Sequence, residues 1–185
     1  MTDDLVIDPV FRVRYRFSRS TDPDRSEVLH VESEVDPGGG VTPHVHPVLT
    51  EVFTVLEGTC ELLRGRHWNA YGTGEVVTIP PGTRHAFRNR SNALTRFRAD
   101  VRPPSTLQEF LLDVAALSRA GKLTRFGVPK PSGLLEAAVL ADTYSDMVEF
   151  GFPLPPPAVQ RVLLKPVATL ARHRGVRARG LAPMT

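Results

Sequence analysis

The sequence predicts a mainly β fold over residues 1–103, closed into a sandwich or barrel, followed by an α-helical extension over 104–185. Three observations carry this. Short apolar-alternating runs recur with Gly and Pro between them, the period-two signature of strands with one face on a core. Seventeen Pro and 14 Gly suit a chain with many tight turns. After Arg102-Pro103-Pro104 the apolar spacing changes to the three-and-four rhythm of an amphipathic helix.

Each element follows in order. Phe11-Arg12-Val13-Arg14-Tyr15-Arg16-Phe17 alternates apolar and basic side chains, which predicts a strand with one dry and one wet face. Its unpaired backbone groups make it a candidate to extend the sheet of a second subunit, so a homodimer is expected. Residues 28–35 form a second run, closed by Asp36-Pro37-Gly38-Gly39-Gly40. Further strands are predicted over 41–48, 51–56, 60–63, 76–79, 85–88 and 94–101, with Pro80-Pro81-Gly82 as a turn.

Ser105-Thr106-Leu107-Gln108 then has the form of a capping box, with the Ser105 hydroxyl accepting from the first helical turn. Leu107, Phe110, Leu111, Val114 and Leu117 share one helical face, and Gly121 marks a stop. A second helix is predicted over 134–147. The run 151–157 is too rich in proline to be helical and reads as an extended connector. A third helix is predicted from Ala158 toward His173, kinked or divided at Pro166. The extension has too few apolar residues for a core of its own, so its apolar faces are expected against the barrel or a second subunit.

Composition excludes several classes. With 41% hydrophobic and 23% charged residues the chain has enough apolar material for a core and is not a disordered polymer. Net charge is a mild +3, although residues 171–179 are basic. That tail reads as a solvated helix end, where the macrodipole favours Arg, and not as a nucleic-acid or membrane contact. No secretory leader pattern is visible, and no apolar run approaches the ~18 residues a membrane span needs. A cytoplasmic location is expected. The lone cysteine, Cys60, permits no intrachain disulfide and reads as a small buried hydrophobe.

His44, His46, Glu51 and His85 carry the chemistry. Residues two apart on a strand point the same way, so His44 and His46 face one side together. Glu51 opens the next strand, and His85 follows a tight turn. Three imidazoles and a carboxylate form a mixed N/O set suited to Fe, Mn, Ni, Cu or Zn, and less to Ca or Mg. His30, His67 and His173 lack such company and read as non-ligands.

The residues also match two motifs. Gly38, five residues, His44-Val45-His46, four residues, Glu51, six residues and Gly58 form the first. Gly74, five residues, Pro80-Pro81-Gly82, two residues, His85, three residues and Asn89 form the second. With all ten fixed positions filled, the chain resembles the cupin superfamily, in particular small single-domain bacterial metallo-cupins with a C-terminal helical extension. The resemblance covers 25–101. It implies a double-stranded β-helix, the jelly-roll barrel, with one divalent transition metal ion held inside by His44, His46, Glu51 and His85.

Strand parity places Thr42 beside His44 and His46, Phe53 and Val55 beside Glu51, and Phe87 and Asn89 beside His85. Thr42, Phe53, Val55 and Phe87 are therefore the candidate substrate pocket, mostly apolar and suited to a small organic, aromatic or polyketide-like molecule. Phe53, Val55 and Phe87 as plain barrel core, and Asn89 as a structural strand-end residue, are the competing readings. Arg84 and Arg88 should face outward.

Cupins carry many reactions, so function stays open between two classes. One is a metal-dependent enzyme, a dioxygenase or a cyclase/isomerase, with Glu51 shifting as a base. The other is a non-catalytic metal- or ligand-binding sensor.

Overall fold

The computed structural model describes residues 5–151 and 156–178. Thr2, Asp3 and Asp4 of the acidic opening, connector residues 152–155 and Arg179 of the basic tail lie outside the described residues.

Period-two patterning becomes two antiparallel sheets. The strands are β1 (Val6–Asp8), β2 (Val13–Thr21), β3 (Glu27–Val35), β4 (His44–Val45), β5 (Thr50–Glu57) and β6 (Thr59–Arg64). They continue with β7 (His67–Gly72), β8 (Val76–Ile79), β9 (His85–Arg88), β10 (Thr95–Arg102) and the late β11 (Glu149–Phe150). One sheet runs β1-β2-β3-β10-β5-β8, and the other β11-β4-β9-β6-β7. This is a jelly-roll barrel with helices after the strands.

β3 shows how sequence sets the register. Leu29, Val31, Ser33 and Val35 point inward and are buried, while His30, Glu32 and Glu34 point out. On the outer face Arg14 stands opposite Glu34, and Arg16 opposite Glu32. Arg14 and Arg16 both bind Glu34, at 3.0 and 2.8 Å. A one-residue slip would bury these charges and expose the valines, so the pairing has no workable alternative. Inside, Phe53, Phe87 and Phe97 fill the space between the sheets. Phe97 meets Phe87 at 4.7 Å and Phe53 at 5.4 Å between ring centres, at the tilted angles aromatic pairs prefer.

Three helices follow: α1 (Leu107–Arg119), α2 (Leu134–Thr143) and α3 (Pro157–His173), with a 3-10 turn at Pro131–Gly133. α1 ends in a Schellman arrangement. Lys122 N–H reaches the Leu117 carbonyl and Gly121 N–H the Ser118 carbonyl, both at 3.0 Å. The extension packs on the barrel. Arg119 donates to the Ile7 carbonyl at 2.8 Å, and Val10 N–H donates to Ser118 Oγ at 2.9 Å. Tyr144, 1% exposed, donates its hydroxyl to Asp113 at 2.7 Å and packs edge-on against Phe110. β11 then returns to the barrel and pairs with β4, Glu149 opposite Val45 and Phe150 opposite His44.

Several local expectations change. The first alternating strand begins at Val13, and β1 covers its outer edge, so β2 is not the free edge the pattern suggested. The run 41–48 yields only two strand residues, because Pro43 and Pro47 bracket it and cannot donate to a ladder. Ser105 does not cap α1. It adopts φ 48°, Thr106 occupies the cap position without a side-chain bond, and Gln108 accepts from Arg19 instead. α2 stops at Thr143, short of Met147, where the chain turns to bury Tyr144 and Met147. α3 runs through Pro166 undivided.

Candidate metal centre

The site is assembled across the barrel. His44 on β4 lies directly opposite His85 on β9, with ring centres 4.3 Å apart. His46 follows β4 and is 3% exposed. Glu51 comes from β5 in the facing sheet, so the carboxylate closes the cluster from the other wall and not from a neighbouring strand. One donor atom from each of the four lies within 4.8 Å of the other three.

The turns of the two motifs hold these elements together. Gly82 donates its N–H to the His46 carbonyl at 2.8 Å, which ties the turn before His85 to the His-x-His segment. Its φ of 73° is the left-handed region that glycine enters without steric cost. Asn89 is a structural plug, as its strand-end position suggested. Its buried amide donates to the carbonyls of Val35 and Ala93 at 2.9 and 2.7 Å, and its Oδ1 accepts from Ser91.

The imidazoles are held in one tautomer. Nδ1 of His44 contacts the Thr42 carbonyl at 2.9 Å, that of His46 the Met147 carbonyl at 2.7 Å, and that of His85 the Thr83 carbonyl at 2.8 Å. A carbonyl can only accept, so each Nδ1 carries the proton and each neutral ring has its Nε2 lone pair free. His85 Nε2 and Glu51 Oε2 lie 2.6 Å apart, yet both are buried without a hydrogen bond of acceptable geometry. His46 Nε2 is 3.8 Å from the same oxygen.

Electrostatics agree with this picture at His44 and His46, whereas at His85 the adjacent carboxylate favours the charged ring. Burial, with the neighbouring His85 and His46 rings, holds His44 down to about 3, so it is neutral. Burial also lowers His46, against the pull of Glu51. Burial alone would raise Glu51, but His85, His46 and His44 outweigh it and hold the carboxyl down to about 2. Burial lowers His85 too, but the adjacent Glu51 carboxylate more than offsets it, so the net direction is upward.

The donor set fits a first-row divalent ion. Such an ion held at about 2.0–2.2 Å sets its donors roughly 3–4 Å apart, the scale of this cluster. Two buried, unsatisfied lone-pair atoms aimed at one point are what a cation would satisfy. Backbone carbonyls on the distal nitrogens are the usual outer support of metal-ligating histidine.

The other candidates fall into two groups. Phe53 lies under the site, its ring 6.5 Å from that of His85. Val55 and Phe87 are packed in the barrel interior at 2% and 8% exposure. Thr42 turns its side chain to solvent and meets the site only through its carbonyl. His30 is occupied by Asp100 and Ser20 at 2.7 and 2.8 Å, while His67 and His173 are exposed and do not join the cluster. Arg88 does face outward, onto Glu61 and the Trp68 ring.

Sequence reasoning missed Met147 and Phe150. Met147 supplies the carbonyl for His46, and the Phe150 ring stands 6.3 Å from His44, with Phe110 a further 6.4 Å from Phe150. The only local signal was the short apolar run Met147-Val148 before Glu149-Phe150, which does not announce a partner about a hundred residues earlier.

Comparison with known proteins places the barrel. Residues 31–99 match the sequence model of the Cupin_2 family, described as a cupin domain. Among curated proteins no relative matches the chain. Solved structures similar to it include an uncharacterized conserved protein with a double-stranded β-helix domain from Klebsiella pneumoniae. That likeness has 23% identity and a TM-score of 0.42, covering 49% of this chain and 78% of the other. KdgF from a Halomonas species has 18% identity over 57% of this chain and 90% of its own, with a TM-score of 0.47. The polyketide cyclase RemF from Streptomyces resistomycificus has 28% identity over 49% and 64%, with a TM-score of 0.42. The match identifies residues 31–99 as a cupin domain lying within the two-sheet barrel, and the helical segment falls outside the matched region.

Proposed function

We propose that His44, His46, Glu51 and His85 bind one divalent transition metal ion, and that the protein is a metal-dependent enzyme acting on a small organic molecule. The supporting observation is the convergence of three Nε2 lone pairs, each fixed by a backbone carbonyl on its Nδ1, upon the unsatisfied Glu51 oxygen. A metal bound there supplies Lewis-acid polarisation of a carbonyl or enolate oxygen or, if it is iron, dioxygen chemistry. This favours a cyclase/isomerase or a dioxygenase.

The chain's own residues bind and orient. Phe150 and Phe110 offer aromatic faces at the His44 side of the cluster, suited to an aromatic or polyketide-like substrate. Phe53 backs His85 and limits its ring motion. Glu51, its carboxyl held down to about 2 by the neighbouring imidazoles, is a weak proton acceptor, so it would serve first as a ligand to the ion and only secondarily as a base.

One observation favours the second reading, a ligand-binding or sensing cupin. Among the described residues, the side chains whose rings meet the cluster are Phe53 and Phe150, neither of them an acid or base. The two readings part in one experiment. Metal-loaded protein is offered a panel of hydroxylated aromatics and polyketide-like ketones, with oxygen uptake and product masses followed. Turnover that His85→Ala abolishes supports the enzyme. Ligands that bind and raise Tm without any chemical change support the sensor.

A further inference from the structure

The outward face of α3 has the wrong polarity for a helix exposed to water. Val159, Val162, Leu163, Pro166, Val167 and Leu170 follow the i, i+3, i+4, i+7, i+8, i+11 spacing of a single apolar stripe. That stripe faces away from the protein. Val162 is 73% exposed, Leu163 60%, Leu170 48%, Val159 44% and Val167 37%. The opposite face, with Ala168 and Ala171 fully buried and Leu164 half-buried, is the one packed against the protein. Val162, Pro166 and Leu170 line a shallow open trough together with Lys165, Thr169 and His173.

Charge identifies what covers the stripe. From residue 150 to the end the sequence has no Asp or Glu, but it has Arg161, Lys165, Arg172, Arg174, Arg177 and Arg179. Arg161 and Arg172 are tied to Glu149 and Asp142 at 2.9 and 2.6 Å. Among the described residues Lys165, His173 and Arg174 make no ion pair. A second copy of α3 laid on the stripe would bring these cations against their own kind, which opposes self-association. An apolar helix face rimmed by uncompensated cations fits a surface with an oily interior and anionic head groups.

We propose that α3 docks in the plane of an anionic lipid surface, its Val/Leu stripe entering the acyl boundary and Lys165 and Arg174 meeting lipid phosphates. No helix among the described residues is long and apolar enough to cross a membrane, so α3 lies on the bilayer and does not span it. The sequence alone reads the basic tail as a solvated helix end. Exposure of the stripe is the fact that reading lacks. The inference is independent of the metal centre.

The test is flotation of the full chain with phosphatidylcholine vesicles containing about 30% phosphatidylglycerol, against phosphatidylcholine alone. Binding to the anionic vesicles at low salt, weakened by added salt, is expected. Leu163→Asp and Leu170→Asp should each weaken it about 10-fold and together about 100-fold, since each removes a leucine that would otherwise leave water. Val76→Asp, 59% exposed on β8, should change nothing and serves as the surface control. Failure of the wild-type chain to float with anionic vesicles overturns the proposal, whatever other partner the stripe has. Wild-type binding that survives the double substitution overturns it as well. A dimer in light scattering that the double substitution splits, without vesicle binding, assigns the stripe to a second copy.

Discussion

Replacing Phe87 by Ala separates a packed barrel interior from an open ligand pocket. Phe87 is 8% exposed, stands cross-strand from Leu62, and meets Phe97 at 4.7 Å. If the interior is as tightly filled as these contacts indicate, truncation loses both transfer energy and a cavity term, about 3–5 kcal/mol for a buried phenylalanine. The Phe97 pair contributes about 0.5–1.5 kcal/mol of that. For a chain of this size, at roughly 2–4 °C per kcal/mol, Tm falls by about 6–20 °C. Phe150→Ala is the companion. It is half-buried with its ring 6.3 Å from that of His44, so about 1–2 kcal/mol is expected, with the larger effect on ligand binding. Urea titrations followed by circular dichroism give both numbers. A loss below about 1 kcal/mol for Phe87→Ala would refute the reasoning, because a side chain lining an open pocket loses little packing when truncated.

Three further outcomes follow from the structure. Burial pushes the Cys60 thiol up to about 12, so the native protein should resist a thiol reagent at about pH 8 and react fully only when unfolded; rapid native labelling would contradict the burial. Gly40→Ala should cost on the order of 3 kcal/mol or more by urea titration, because at φ +148° an added Cβ would run into the Phe87 carbonyl oxygen, whereas Gly65→Ala, with no described residue within 4 Å of an added Cβ, should cost only about 1 kcal/mol for its left-handed backbone. Arg16 and Arg14 lower the Glu34 carboxyl below its ordinary 4.5, so its contribution is complete above that pH and lost as pH falls through the lower folded value; Glu34→Gln should flatten this part of the acid limb of a stability–pH curve, and an unchanged limb would count against the ion pairs.

Much of the fold is legible in the sequence because alternation and helical periodicity act locally. β8 and β9 are read to the residue, and β3, β5, β6 and β10 to within one residue at each end. β7 is missed because His67-Trp68-Asn69-Ala70-Tyr71-Gly72 is an edge strand with little apolar alternation. β1 is only three residues long. The capping box fails because Ser105 is needed to turn the chain in the left-handed region between the last strand and α1. At the site, the motifs and strand parity point to the four side chains that the structure brings together. Nothing local points to the Met147 carbonyl or Phe150, since a two-residue strand returning to β4 leaves no periodic signal. Similarly, a helical pattern reveals that α3 is amphipathic but not which face the protein covers.

Metal stoichiometry tests the central claim most directly. The chain is loaded with each first-row divalent ion in turn, desalted, and assayed by elemental mass spectrometry beside His46→Ala and His85→Ala variants whose circular dichroism remains native. We predict one tightly held ion per wild-type chain for at least one metal and near-complete loss in both variants. A folded wild type that retains no ion, or variants that retain a full complement, would contradict it.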